Sequence, residues 1–127
     1  MKPNLFQFIP GIIWVLLIFI LLILPGSDIP TVDFFEIIYF DKWVHIGLFA
    51  VLTILWGYPF LKSKLLPVTT IVFVAVIAIV YGIIMEFVQK YFAASRSFDI
   101  TDIFADSAGA VIGILVLIKI RKHLIKG

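Results

Sequence analysis

The sequence contains no cysteine and very little charge. Cysteine is absent from all 127 residues, and only 14% of the residues are charged. The absence of cysteine excludes a disulfide framework, a thiolate metal site and a cysteine nucleophile. The low charge content is atypical of a water-soluble domain, in which about 25% of residues are charged.

Hydrophobic residues make up 63% of the chain, and the mean hydropathy is +1.20. A body this small cannot hide so much apolar surface, because small domains leave a large share of their surface exposed. Crossing the ~30 Å bilayer core takes about 20 apolar helical residues, and helices bond their own backbone groups in lipid. The sequence therefore predicts one all-α domain over residues 1–127, an integral membrane four-helix bundle. Its helices are expected at about residues 5–24, 41–61, 65–92 and 99–120.

The first hydrophobic segment follows Lys2 and has some character of a signal peptide. Its apolar run is long, however, and it continues into Pro25, Gly26 and Ser27 without an Ala-x-Ala-like cleavage site. We therefore expect it to be a retained first helix.

Charge is divided sharply between the two sides of the predicted bundle. All 8 acidic residues fall on one side, accompanied only by Lys42, Lys90 and Arg96. Cytoplasmic loops of membrane proteins carry the excess of lysine and arginine, so the other side and both termini are expected to be cytoplasmic. The basic residues of this cytoplasmic side are interpreted as topology signals and anionic-lipid contacts, and no nucleic-acid partner is expected. These residues are Lys2, Lys62, Lys64, Lys119, Arg121, Lys122 and Lys126.

Ionisable side chains inside membrane segments are costly and usually face the protein interior or water. Three of the predicted helices carry such residues, spaced three or four apart so that they share a face. At 1.5 Å per residue, Asp106 lies ~10 Å and Glu86 ~9 Å from the outer ends of their helices. We therefore expect an outward-opening polar pocket at headgroup depth. Its candidate residues are Asp41, Lys42, His45, Glu86, Gln89, Arg96, Asp99, Asp102 and Asp106.

Simple structural roles compete with this interpretation. Asp41 and Asp99 suit the N-terminal ends of the second and fourth helices as caps, although capping fades beyond the first turn and explains Asp106 less well. Glu86 lies near a helix C-terminus, where an acid is disfavoured, so it requires a partner such as Arg96 or His45.

Gly109 and Gly113 form a GxxxG spacing in the fourth helix. Small residues at this spacing allow two membrane helices to approach closely. The partner is either the second or third helix of the same chain or, alternatively, the same face of a second copy in a homodimer.

The polar residues also occur in a familiar order. The second segment contains Asp41-Lys42-x-x-His45-x-x-x-Phe49 and the third contains Tyr81-Gly82-x-x-x-Glu86-x-x-Gln89. Arg96 follows, and then Asp102-x-x-x-Asp106-x-x-Gly109-x-x-x-Gly113. Over about residues 41–115 this pattern resembles the VanZ-like family, except that the family more typically has asparagine at the position of Asp106. The resemblance implies a small bacterial cell-envelope protein of the inner membrane, multi-pass, related to proteins associated with teicoplanin resistance.

Binding of an amphiphilic anionic ligand is the first functional hypothesis. A lipid-linked cell-wall precursor or a lipoglycopeptide would place its charged group in the pocket and its tail among membrane lipid and helices. His45 and Glu86 are the candidates for proton transfer if a reaction occurs, and Arg96 for stabilising an anion. The other candidate residues would bind ligand. No nucleophile motif is present, so enzyme status stays open, and no cofactor is expected.

Three alternatives remain. A transporter or flippase would use membrane carboxylates as a proton relay, although the inner halves of the helices lack ionisable residues. A metal site would combine His45 with Glu86, Asp102 or Asp106, but this spacing matches no established motif, so no metal ligand is assigned. A structural scaffold would use the charges only to pair with one another.

Overall fold

The computed structural model describes residues 2–28, 33, 36, 39–61 and 67–126, and we refer below to this part of the chain. It contains four long helices, α1 (Ile9–Ile23), α2 (Phe40–Leu61), α3 (Val68–Phe92) and α4 (Ile100–Lys126), and no strand within the described ranges. A 3₁₀ turn, Leu5–Phe8, extends α1 at its N-terminal end. With this turn counted as part of α1, all four helices are long and apolar enough to cross a membrane, which confirms the predicted all-α membrane bundle.

Helix ends differ from the predictions in ways that local chemistry explains. α1 ends at Ile23, because Leu24 is extended ahead of Pro25. α3 begins at Val68 after the extended Pro67, and its predicted start at residue 65 lies outside the described residues. α4 continues to Lys126, six residues beyond its predicted end. Basic residues in the last turn, which favour the negative end of the helix dipole, support this extension past the hydrocarbon core.

α2 and α4 form the most extensive contact between two helices of the described residues, and glycines on α4 allow their close approach. A Cβ added to Gly109 would meet the carbonyl oxygen of Ile46 and lie 3.0 Å from the backbone nitrogen of Ala50. A Cβ on Gly113 would lie 2.7 Å from Cβ of Thr53. The GxxxG face is therefore packed against the second helix of the same chain, as the first of the two interpretations expected.

α1 packs on α2 and α3, and three side chains connect it to them by hydrogen bonds to backbone carbonyls. Trp14 Nε1 donates to the carbonyl of Leu48 at 2.9 Å. In return, the Tyr81 hydroxyl donates to Val15 at 2.8 Å, and the Gln89 amide to Leu22 at 2.9 Å. Because a polar group in lipid has no water to bond, these pairings hold α1 in a defined position.

The ends of the helices meet at a level we call the acidic end, where α1 and α3 finish and α2 and α4 begin. The link after α1 contacts the link after α3, since the N–H of Gly26 donates to the carbonyl of Ala94 at 3.0 Å. This end gathers the polar residues that the sequence singles out.

Candidate functional site

Six polar side chains from α2, α3, α4 and the link before α4 lie together at the acidic end. We call this set the polar cluster, and it consists of Lys42, His45, Glu86, Asp99, Asp102 and Asp106. Glu86 and Asp106 are 0% exposed, and His45 is 4% exposed. The predicted convergence of three helix faces is thus present as geometry, whereas the ligand and catalytic roles remain predictions.

Lys42 stands at the centre of the cluster's ion pairs. Its Nζ lies 2.9 Å from Asp41, 2.7 Å from Asp99, and also contacts Oδ1 of Asp102. The ammonium therefore connects the first turn of α2 to the start of α4. Because three carboxylates already surround the Lys42 ammonium, they largely neutralise its charge, and it attracts an anionic ligand only weakly.

His45 and Asp106 form a buried pair between α2 and α4. His45 Nδ1 lies 2.7 Å from Oδ1 of Asp106, and His45 Nε2 lies 3.7 Å from Oδ2 of Asp102. Asp106 approaches α3 as well, where a Cβ on Gly82 would lie 2.6 Å from its Oδ2. Glycine at position 82 therefore makes room for the buried carboxylate. In the neutral imidazole, the hydrogen bond to the carboxylate favours the proton on Nδ1, and Nε2 then has a lone pair facing the cluster.

Glu86 has a partner that the sequence did not suggest. Its Oε2 accepts the backbone N–H of Asp99 at 3.0 Å, which joins the last turns of α3 to the start of α4. Its Oε1 is buried and has no hydrogen-bond partner among the described residues. Arg96, one of the two expected partners, instead donates from Nε to the carbonyl of Leu24 at 3.3 Å.

Asp99 combines both roles that the sequence allowed for it. Its Oδ1 accepts the backbone N–H of Thr101 at 2.8 Å and the Thr101 hydroxyl at 2.6 Å, which caps α4. Its Oδ2 pairs with Lys42. The Lys42 ammonium, followed by the Thr101 hydroxyl, lowers the pKa of Asp99 from 3.8 to about 2.

Replacing Lys42 by methionine should raise the pKa of Asp99 towards 3.8, although the Thr101 donors should keep it below that value. Asp99 is ionised in the folded wild type, and its stabilising effect is lost only as the pH falls from about 4 through about 2. Carboxyl ¹³C titration in micelles measures this shift. Lys90→Met is the matched control, because Lys90 is exposed and lies over the ring of Tyr91. An unchanged Asp99 pKa in Lys42→Met would contradict the assigned cause.

Three of the predicted ligand residues lie outside the buried part of the cluster. The Asp41 side chain is 61% exposed at the rim, where it contacts Lys42. The Gln89 amide and Arg96 Nε both bond carbonyls of the α1 region. The structure thus uses Gln89 and Arg96 to position α1 and the link that follows it.

An apolar cavity of about 220 Å³ lies deeper in the bundle, between α1, α2 and α3. Tyr81 is five residues from Glu86, and Leu52 is seven from His45, so the cavity lies ~8–10 Å below the cluster. No sequence pattern predicts this cavity, because apolar side chains that line a space have the same spacing as those that face lipid. It is lined by Val15, Leu52, Trp56, Val74, Ile77, Ala78 and Tyr81.

Comparison with known proteins gives one family and no individual relative. The comparisons with curated proteins and with solved structures return no match. The family model described as VanZ/LLP1 matches residues 3–122, a range that includes α1–α3, most of α4 and the whole polar cluster. This chain therefore belongs to the VanZ/LLP1 family of membrane proteins.

Proposed function

We propose that this protein binds the headgroup of an amphiphile at the polar cluster, while the hydrocarbon tail lies towards the apolar cavity. The observation that carries this proposal is the fully buried Glu86 carboxylate, whose Oε1 has no partner among the described residues. Leaving a buried acceptor unsatisfied costs about 1–3 kcal/mol, and more for a charged group. If the cluster served only to stabilise the bundle through its ion pairs, nothing would compensate the free-energy cost of this unpartnered oxygen.

The distribution of charge supports an outward orientation for the site. With the basic side in the cytoplasm, the acidic end of a bacterial inner-membrane protein faces away from it. The cluster would then meet molecules of the outer leaflet. A lipid-linked cell-wall precursor or a lipoglycopeptide such as teicoplanin combines a polar head with a long tail, which suits the family's association with teicoplanin resistance.

The chemistry of the cluster decides how such a headgroup would be held. Carboxylates of Glu86, Asp102 and Asp106 outnumber the single ammonium of Lys42, so hydroxyl and amine donors of a glycan or peptide suit the buried part. A phosphate or carboxylate would lie nearer the rim, towards Arg96 and Lys90.

If a reaction accompanies binding, His45 and Glu86 are the groups suited to proton transfer. His45 Nε2 lies 3.7 Å from Asp102, beyond hydrogen-bond range, and Glu86 Oε1 has no partner among the described residues, so both remain available to a ligand. Binding alone requires neither of them to change protonation.

Binding of teicoplanin to the purified full chain in nanodiscs tests the proposal. Glu86→Gln should weaken binding about tenfold or more, since a hydrogen bond to a charged group contributes about 1.5–3 kcal/mol. Lys119→Met, an exposed change at the opposite end of α4, should have no effect. A glycopeptide without an acyl chain should bind more weakly than teicoplanin, because it leaves the cavity unused.

Polyprenyl phosphate is the second probe in the same assay. If neither teicoplanin nor polyprenyl phosphate binds the wild type, the proposal fails. It also fails if Glu86→Gln and Lys119→Met bind equally well. Under the scaffold alternative, Glu86→Gln would reduce the amount of folded protein, so circular dichroism and gel filtration of each variant accompany the binding curves.

A further inference from the structure

We infer that His45, Glu86 and Asp102 bind a divalent transition-metal ion. The inference deepens the proposed function, because the ion would take the Glu86 oxygen that has no partner among the described residues and would itself present an open position to the headgroup. Each of them offers one ligand atom, and the three atoms lie within 4.8 Å of one another. All three residues are buried, and they come from α2, α3 and α4 respectively.

The distances suit a small metal ion. Zinc ligands lie about 2.0–2.2 Å from the ion, so two tetrahedral ligands lie about 3.4 Å apart. His45 Nε2 and Asp102 Oδ2 are 3.7 Å apart, which a slight rotation of either side chain brings into that range. The third residue, Glu86, supplies a ligand atom that completes a triangle with the other two, all within 4.8 Å of one another.

Each candidate ligand is held in place by a second group. The Nδ1 of His45 bonds Asp106, Oδ1 of Asp102 contacts Lys42, and Oε2 of Glu86 accepts the N–H of Asp99. In every case this leaves another atom, Nε2, Oδ2 or Oε1, available to the ion. Metal sites commonly show this arrangement, in which a carboxylate orients the metal-binding histidine through its other nitrogen.

Two further observations point to a cation rather than to a closed set of ion pairs. Glu86 is 0% exposed, and its Oε1 has no partner among the described residues. The buried part of the cluster also contains three carboxylates, whereas Lys42 is the one lysine or arginine that pairs with it within the described residues. A divalent ion between Glu86, Asp102 and His45 would neutralise this excess of negative charge.

The donor set restricts the choice of ion. One imidazole nitrogen with two carboxylate oxygens suits zinc and manganese. Three protein ligands leave a position for water or for an oxygen of the bound headgroup. The ion would therefore allow an acidic cluster to bind a phosphate or carboxylate, which its own carboxylates repel.

Metal analysis of the full chain tests the inference. The purified protein is treated with EDTA, dialysed against Zn²⁺ or Mn²⁺ and analysed by inductively coupled plasma mass spectrometry. We expect about one ion per wild-type chain. Glu86→Gln and Asp102→Asn should lower the affinity for the ion more than tenfold.

Asp41→Asn is the matched control, since the Asp41 carboxylate also contacts Lys42 but is exposed, and this variant should retain the ion. Asp106→Asn should weaken binding by about 10–100-fold, the range for a group that orients a ligand.

Two results would overturn the inference. One is a wild type that retains no stoichiometric ion, and the other is equal retention by wild type, Glu86→Gln and Asp102→Asn, which would indicate adventitious metal. The wild type should also show a higher unfolding temperature when Zn²⁺ or Mn²⁺ is added, and no rise with either ion counts against the site even if a variant fails to fold. Teicoplanin binding measured in EDTA separates this result from the proposed function. If the wild type still binds teicoplanin more tightly than Glu86→Gln in EDTA, the proposed function holds although the metal inference has failed.

Discussion

Replacing Gly109 by alanine should destabilise the folded chain by about 2–3 kcal/mol. An exposed helical glycine normally gains about 1 kcal/mol from this change, so the expected sign is reversed. The added Cβ would meet the carbonyl oxygen of Ile46 and the backbone nitrogen of Ala50, neither of which can rotate away. α2 and α4 would have to separate, and membrane helices associate chiefly through such close packing. Unfolding by denaturant in micelles measures the free-energy difference.

Gly47→Ala is the matched control for this prediction. Gly47 lies on α2, and a Cβ there would have no neighbour within 4 Å. It should therefore stabilise the protein by about 1 kcal/mol, through helix propensity alone. Stability changes of the same sign in Gly109→Ala and Gly47→Ala would contradict the packing argument. If a homodimer face were the main role of Gly109, its effect would diminish as the protein is diluted into excess detergent.

The fold could be predicted from the sequence because one constraint dominates it. Stretches of about 20 apolar residues leave the backbone no alternative to helix in lipid. Helix ends were less predictable, since they depend on contacts and caps. α4 begins after the Asp99 cap and runs to Lys126, where basic side chains rather than hydropathy support the last turns.

The depth of the site in the membrane could be predicted from the sequence, but the pairs of atoms that meet in it could not. Residue spacing placed His45, Glu86 and Asp106 each on the polar face of its own helix and at a similar depth. The structure brings these three faces together. Which atoms meet depends on how the helices pack, which glycines such as Gly82 determine. Long side chains are the hardest to place, since their reach exceeds a helical turn. Arg96 accordingly bonds a carbonyl of Leu24 rather than Glu86.

His45→Ala should be the most destabilising single change in the polar cluster, with an expected loss of about 3–5 kcal/mol. It removes the 2.7 Å partner of Asp106, a carboxylate that is 0% exposed and whose Oδ2 has no hydrogen-bond partner among the described residues. The cost comes from the carboxylate left behind rather than from the lost bond itself, because an ion pair buried in a protein gives little net stability.

The double variant His45→Ala/Asp106→Ala separates these two causes. Removing both partners also removes the buried charge, so the double variant should be more stable than His45→Ala alone, by about 2 kcal/mol or more. Denaturant unfolding in micelles containing EDTA measures all three proteins without a contribution from metal. If the double variant is instead less stable than His45→Ala, then Asp106 stabilises the bundle without its histidine. The buried carboxylate would then have a structural partner other than His45, and an uncompensated Asp106 charge would not be the cause of the destabilisation in His45→Ala.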